Sequence, residues 1–212
     1  MVKVRISRTR WSLIILPALM YNIWPLAYWL DPSALKNNYL SVLEVAGRPY
    51  SWLFILGDVI TSLLVIFMAI NLIRIFYDYK NIIFGYLAFG VFTLLEALTQ
   101  ISNKCQKSIS ACGISPVQIF SVHDLASVGA ALGILYGVYM SLRLIKSINL
   151  TFYKIARYIF WFWSLSGISL VLSVAFDSAT LLSQAMFLIM CGVALVEMPL
   201  SVYLIRDAKQ AS

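Results

Sequence analysis

Six long apolar runs are the feature that most constrains how this chain can fold. They cover residues 11–30, 51–72, 82–101, 117–142, 158–176 and 179–204. Each run is long enough to cross about 30 Å of hydrocarbon at about 1.5 Å per helical residue. A span in lipid has to satisfy its own backbone hydrogen bonds, so each run is predicted to be an α-helix. The sequence therefore predicts an all-α, six-helix transmembrane bundle that forms a single domain over residues 1–212.

The composition argues against an ordinary soluble domain. The chain is 61% hydrophobic and 12% charged, whereas soluble domains carry about 25% charged residues. A soluble fold of this size could not hide so much apolar surface from water. The net charge of +7 is spread over short basic clusters between the apolar runs, a pattern that reports membrane topology. We therefore expect membrane lipids rather than nucleic acid as partners, and we expect no cofactor.

The basic clusters also predict the orientation. If the N-terminus is cytoplasmic, only four of the sixteen Lys and Arg residues fall on the outer side. Those four are Lys36, Arg48, Lys104 and Lys107. Because cytoplasmic loops are enriched in Lys and Arg, both termini of this multi-pass membrane protein are predicted to be cytoplasmic. The basic N-terminus resembles the start of a signal peptide, but no small-residue cleavage site follows it, so we expect an uncleaved first helix.

Two cysteines lie close together in the predicted outer loop at residues 102–116. Cys105 and Cys112 would face an oxidising compartment, where neighbouring thiols usually form a disulfide. A redox-active pair is the alternative, but the spacing lacks the C-x-x-C arrangement that tunes a thiol. The sequence thus favours a structural disulfide, while Cys191 is expected to pack as a small apolar residue.

Several ionisable residues interrupt the apolar runs, where charged groups are costly and rarely present without a reason. Asp58 lies about 10 Å along the second helix, and His123 lies about as far along the fourth. Glu96 lies about one turn before the outer end of the third helix. These depths predict an outward-facing polar pocket built from Asp58, Glu96, His123 and Asp124, with Glu44 and the loop that contains the cysteines near its mouth.

The fourth helix carries two further signals. His123 and Asp124 are adjacent and point about 100° apart, so they cannot both aim at one neighbour. Gly129, Gly133 and Gly137 follow at four-residue spacing, which lets another helix approach closely. The glycine face predicts a central place for this helix, or association with a partner helix or a second copy of the chain.

The polar cluster admits several functions. The leading interpretation is a non-enzymatic site for a lipid headgroup or a small polar ligand. The alternatives are a purely structural set of interhelical bonds, a hydrolase or transferase with His123 and Asp124 as candidate catalytic residues, and a proton or ion path between Asp58 and Glu197. Glu197 is otherwise a separate inner site or a buried acid bonded to a neighbouring helix. No metal site is predicted, because zinc would find a single His in the chain.

Two segments are similar to a known family. Residues 41–58 look like the outer loop and second-helix start of the family catalogued as domain of unknown function 998, and His123 to Ser127 are similar to its His-bearing helix. The chain departs from the Phe-Pro-x-Asp-like motif that often follows helix three in the family. The resemblance implies a six-helix bundle in a prokaryotic plasma membrane and makes His123 a candidate site residue, and it implies no reaction.

Overall fold

The structure is a computed structural model that describes residues 8–32, 40–45, 48–99, 122–176 and 180–211. The described residues form α-helices joined by turns and short 3₁₀ helices. The α-helices are α1 (Arg8–Tyr21), α2 (Ala27–Leu30), α3 (Ser51–Ile75), α4 (Lys80–Leu98), α5 (Val122–Ile145), α6 (Leu150–Ala175) and α7 (Thr180–Ala211). The all-α class predicted from the sequence is therefore confirmed for the described part of the chain.

Five segments of the described chain are long and apolar enough to cross a membrane. They are Ser51–Ile75, Tyr77–Leu98, Val122–Ile145, Leu150–Ser173 and Leu181–Lys209. A sixth candidate exists only if α1 and the segment Trp24–Leu30, which are bent by 44° relative to each other, form one crossing. Pro25 accounts for the break, because it lacks the N–H that an α-helix needs. The helices are those of a membrane-embedded protein, and the sixth crossing stays a prediction.

The helices pack around a continuous apolar core. Helix α4 packs against α3 and α5, α1 packs against α3 and α7, and α7 also packs against α5 and α6. Tyr86 and Phe89 of α4, Ile134 of α5 and Leu195 of α7 are fully buried in this core. Helix α6 is peripheral, since only 17% of its most apolar stretch is buried inside the protein, compared with 61% of the corresponding stretch of α7.

Three glycines bring α4 and α5 into backbone contact. A Cβ atom added to Gly85 would lie 2.5 Å from the Gly137 backbone, and one added to Gly133 would lie 2.7 Å from the Phe89 nitrogen. Atoms this close would overlap, so even an alanine has no room there. The two helices can therefore approach closely only because these positions lack side chains.

The glycine face of α5 is used within the chain. Gly129 lies against the ring of Phe92 on α4, and Gly137 lies against the sulfur of Met198 on α7 as well as against α4. The central place predicted for this helix is thus explained by contacts inside one molecule. Association between copies through Gly129, Gly133 and Gly137 stays a prediction.

Two predicted helix boundaries were wrong. Helix α6 begins at Leu150 rather than at residue 158, and α7 continues to Ala211 rather than ending at residue 204. Charged residues made these stretches look like loops, yet Lys and Arg can reach water from a helix end on their long side chains. The turn predicted at Asp177 and Ser178 lies outside the described residues.

The α4–α5 contact predicts a sharp difference between two glycine substitutions. Gly133→Ala places a methyl group against backbone atoms and should destabilise the protein by about 1–3 kcal/mol, as overpacking does. Gly167→Ala is the matched control, because its Cβ would lie 3.5 Å from the Phe187 ring, an ordinary contact. Thermal unfolding of the detergent-solubilised variants measures both. Equal melting temperatures for the two variants would contradict the contact.

Candidate functional site

A small cavity lies where the ends of several helices meet the segment Leu40–Glu44. Its volume is about 70 Å³, which compares with about 30 Å³ per molecule in liquid water. The lining residues are Tyr21, Ile23, Trp24, Leu40, Leu43, Glu44, Phe54, Asp58, Glu96, His123, Gln184 and Leu188. The cavity therefore has room for about two waters or one small polar group.

The cavity collects most of the residues singled out in the sequence. Glu44, Asp58, Glu96 and His123 all line it. Asp124 does not, and its side chain is exposed. The difference follows from helical geometry, since adjacent residues point about 100° apart. Cys105 and Cys112, expected near the mouth, lie outside the described residues.

The segment that carries Glu44 is held in place by polar and apolar contacts. The Leu40 N–H donates a hydrogen bond to Gln184 Oε1 at 2.7 Å, and Leu40 and Leu43 are buried. The Arg48 guanidinium donates to Asp31 Oδ2 at 3.2 Å, and the Asp31 side chain is only 6% exposed. A buried, paired charge of this kind resists separation, because each partner would be left uncompensated. Glu44 is thus positioned over the ends of α3 and α7.

Glu44 and Asp58 form a carboxyl pair. Their side chains are close enough to interact through a hydrogen bond, which two carboxyl groups can make only if one of them carries a proton. Burial raises the pKa of Glu44, the charge of Glu96 raises it further and the hydrogen bond with Asp58 lowers it, so that it lies at about 8. The pair therefore holds a proton at neutral pH.

Glu96, His123 and Ser127 form a second group on the facing ends of α4 and α5. The Ser127 hydroxyl donates to Glu96 Oε1. The His123 Nδ1 atom lies 2.8 Å from the Thr99 carbonyl oxygen and 3.2 Å from that of Glu96. Because carbonyl oxygens only accept, Nδ1 must carry a hydrogen. The ring therefore caps the last turn of α4.

The other ring nitrogen of His123 lies beside the Glu96 carboxyl. Its Nε2 atom lies 3.8 Å from Glu96 Oε1. A protonated ring would pair with that carboxylate, whereas a neutral ring presents a lone pair. The single hydrogen of the Ser127 hydroxyl is directed to Glu96 Oε1 or to the His123 carbonyl oxygen rather than to Nε2. This geometry differs from a nucleophile–base pair, in which the base accepts the hydroxyl hydrogen.

Three lining residues with hydrogen-bonding side chains were not among the predicted site residues. Tyr21, Trp24 and Gln184 all face the cavity, and the Trp24 Nε1 atom is buried without a hydrogen-bond partner among the described residues. Gln184 is a polar amide within an apolar run, so it could have been recognised as a site residue from the sequence. Tyr21 and Trp24 gave no such signal, because aromatic residues are common near membrane interfaces.

No arrangement of three or more His, Cys, Asp or Glu side chains that could hold a metal ion occurs among the described residues. Comparison with known proteins adds no constraint, because no family model, curated protein or solved structure matches the chain. The candidate site is therefore interpreted from its own chemistry.

The carboxyl pair predicts a pH dependence of stability. An acid with a raised pKa binds its proton more tightly in the folded protein, so Glu44 ionisation destabilises the fold as pH rises. This loss of stability should build up between pH 4.5, the ordinary value for Glu, and about 8, then level off. Glu44→Gln should remove this part of the decline, since the amide never ionises.

Melting temperatures measured across this pH range test the prediction. Asp78→Asn is the matched control, because Asp78 is an exposed carboxyl at the start of α4, away from the cavity. Its pH profile should follow that of the wild type. A Glu44→Gln profile as steep as the wild-type profile would contradict the assignment.

Proposed function

We propose that the chain is a six-span membrane protein whose outer cavity binds a small ammonium group. The cavity would face the outer side of a prokaryotic plasma membrane, as the resemblance to the family catalogued as domain of unknown function 998 implies. The ammonium group would belong to a free amine or to a lipid headgroup. The observation that carries the proposal is the balance of charge in the lining.

Carboxyl groups outnumber basic groups in the described lining. Glu44, Asp58 and Glu96 contribute three carboxyl groups, and the described lining contains no Lys or Arg to neutralise them. His123 alone can offset one charge. A phosphate or carboxylate would be repelled by such a lining, whereas a cation would be attracted.

Size and donor geometry favour an ammonium group over a larger cation. A volume of about 70 Å³ admits a compact head, and an ammonium group presents three N–H donors. Charge-assisted hydrogen bonds to carboxylates are stronger than neutral ones. A quaternary ammonium is bulkier and offers no N–H donor, so it should bind poorly.

Ligand-dependent stabilisation tests the proposal. Ethanolamine and methylammonium should raise the melting temperature of the purified protein, while tetramethylammonium and glycerol should not. A ligand at a hundred times its Kd stabilises by about 2.7 kcal/mol. Asp58→Asn should abolish the effect because it removes a carboxylate from the cavity, and Asp78→Asn should retain it.

A second comparison distinguishes a lipid headgroup from a free amine as the source of the ammonium group. Nanodiscs of phosphatidylethanolamine should stabilise the protein more than nanodiscs of phosphatidylcholine if a headgroup is the ligand. Equal stability in both lipids, together with a response to free ethanolamine, indicates a soluble amine. The proposal would be contradicted if no primary amine raised the melting temperature, or if Asp58→Asn were stabilised as much as the wild type.

The proposed topology makes a separate prediction. Six crossings need the bent pair α1–α2 to span the membrane, and the bias of Lys and Arg favours cytoplasmic termini. In a bacterium, green fluorescent protein fused after Ser212 should therefore fluoresce, because it folds in the cytoplasm. Alkaline phosphatase fused after Pro49 should be active, because it requires export. An active phosphatase at the C-terminus would contradict the proposed cytoplasmic C-terminus.

A further inference from the structure

We propose that Glu197, together with Ser141 and Ser201, forms a second site that reversibly binds a proton. The site lies in the inner half of the bundle, between α5 and α7. Glu197 is three and a half turns beyond Gln184 on α7, about 20 Å along the helix at 1.5 Å per residue. It is therefore distinct from the outer cavity and does not depend on the ligand proposed there.

The two oxygens of the Glu197 carboxyl have different surroundings. The hydroxyl of Ser141 donates to Oε1, and that of Ser201 lies 2.6 Å from the same atom. The Oε2 atom is buried and has no hydrogen-bond partner among the described residues. This is the pattern of a neutral acid, in which one oxygen accepts as a carbonyl does and the other carries the hydrogen.

Burial explains why the neutral form is favoured. The whole residue is only 2% exposed, and none of the ion pairs between described residues includes Glu197. An ionised carboxylate would leave Oε2 as a buried charge without a counterion, which is costly in an apolar interior. Both hydroxyls nevertheless face Oε1 as donors, so the carboxylate has support when the proton leaves.

The packed helices contribute few charges near this site. Helix α5 contributes Ser141, while its Arg143 lies over the Tyr139 ring. On α1, Arg10 lies over the ring of Tyr203 of α7.

Helices α4 and α6 provide no charge that pairs with Glu197 among the described residues. Helix α4 contributes Tyr86, whose buried hydroxyl also lacks a partner among the described residues, and on α6 Lys154 and Arg157 are exposed. The protonation of Glu197 is therefore set by burial and by the two serines rather than by a paired cation.

The backbone beside Glu197 is weakened. Pro199 lies inside α7, and a proline cannot donate the hydrogen bond that the Leu195 carbonyl would otherwise receive. Helices bend most readily where such a bond is missing. A bend at this point would move the Glu197 carboxyl relative to α5 and so change its surroundings. A bond that only joined α5 to α7 would not need such a bend.

Labelling with dicyclohexylcarbodiimide tests the proposal on the full chain in lipid. This apolar reagent adds to a protonated carboxyl, and rearrangement leaves a stable N-acylurea that retains every atom of the reagent. Peptide mass mapping should find the adduct on Glu197 at neutral pH, and the yield should fall several-fold as pH rises. Glu197→Gln should lose the adduct while it keeps the hydrogen bonds to the serines and the fold.

A second variant separates proton binding from a merely structural role. Ser141→Ala removes a donor that supports the carboxylate, so labelling should persist to a higher pH than in the wild type. A structural bond predicts no such shift.

Infrared difference spectra between low and high pH provide a measurement that does not require the reagent to reach the site. The C=O absorption of neutral carboxyls should fall at high pH, and the part due to Glu197 should be missing from Glu197→Gln while the part due to Glu44 and Asp58 remains. Failure of both measurements, or labelling that does not change with pH, would overturn the proposal and leave the outer cavity unaffected.

Discussion

The close approach of α4 and α5 is the contact on which both polar sites depend. Gly85 and Gly137 meet at backbone distance, which fixes the position of α5 relative to α4. Above this contact, the same register sets Ser127 of α5 beside Glu96 of α4. Below it, Gly137 also lets Met198 of α7 approach, and one turn further Ser141 reaches Glu197. A larger side chain at the contact would separate the helices and break both hydrogen bonds, because packed interiors do not absorb an added methyl group without movement.

Burying carboxyl groups imposes the second constraint, and the chain meets it differently at its two sites. Around the cavity, Glu44 lies beside Asp58, and Glu96 has a histidine and a hydroxyl as neighbours. Between α5 and α7, the Glu197 side chain has serine hydroxyls as its hydrogen-bond partners among the described residues. Like charges that are held close cannot all ionise at low dielectric. The outer cluster can therefore change its charge through a cation or a proton, whereas the inner acid has the proton as its simplest partner.

The sequence allowed much of this to be predicted, because hydropathy and helical geometry act locally. Apolar runs gave the long helices, and helical rise placed Asp58, Glu96 and His123 at one depth, where they line one cavity. What could not be predicted depends on side-chain geometry between distant segments. The capping of α4 by His123 Nδ1 joins residues far apart in the chain. A bond from Glu197 to a neighbouring helix was among the expectations, but its partner Ser141 was not predicted. The ends of α6 and α7 were missed for a different reason, since charged side chains there reach water from within a helix.

The proposed ammonium ligand would also require the outer site to exchange a proton. Glu44 and Asp58 together hold one hydrogen at neutral pH, and their bond depends on it. An ammonium group that donates to both carboxyls would take the place of that hydrogen, because the two cannot occupy the space between the carboxyl oxygens at once. Uptake of the cation and release of the proton would therefore be linked, and the apparent affinity for the ligand would rise with pH. In a bundle that also holds a separate protonated acid at Glu197, such linkage would connect ligand binding to the proton balance on the outer side.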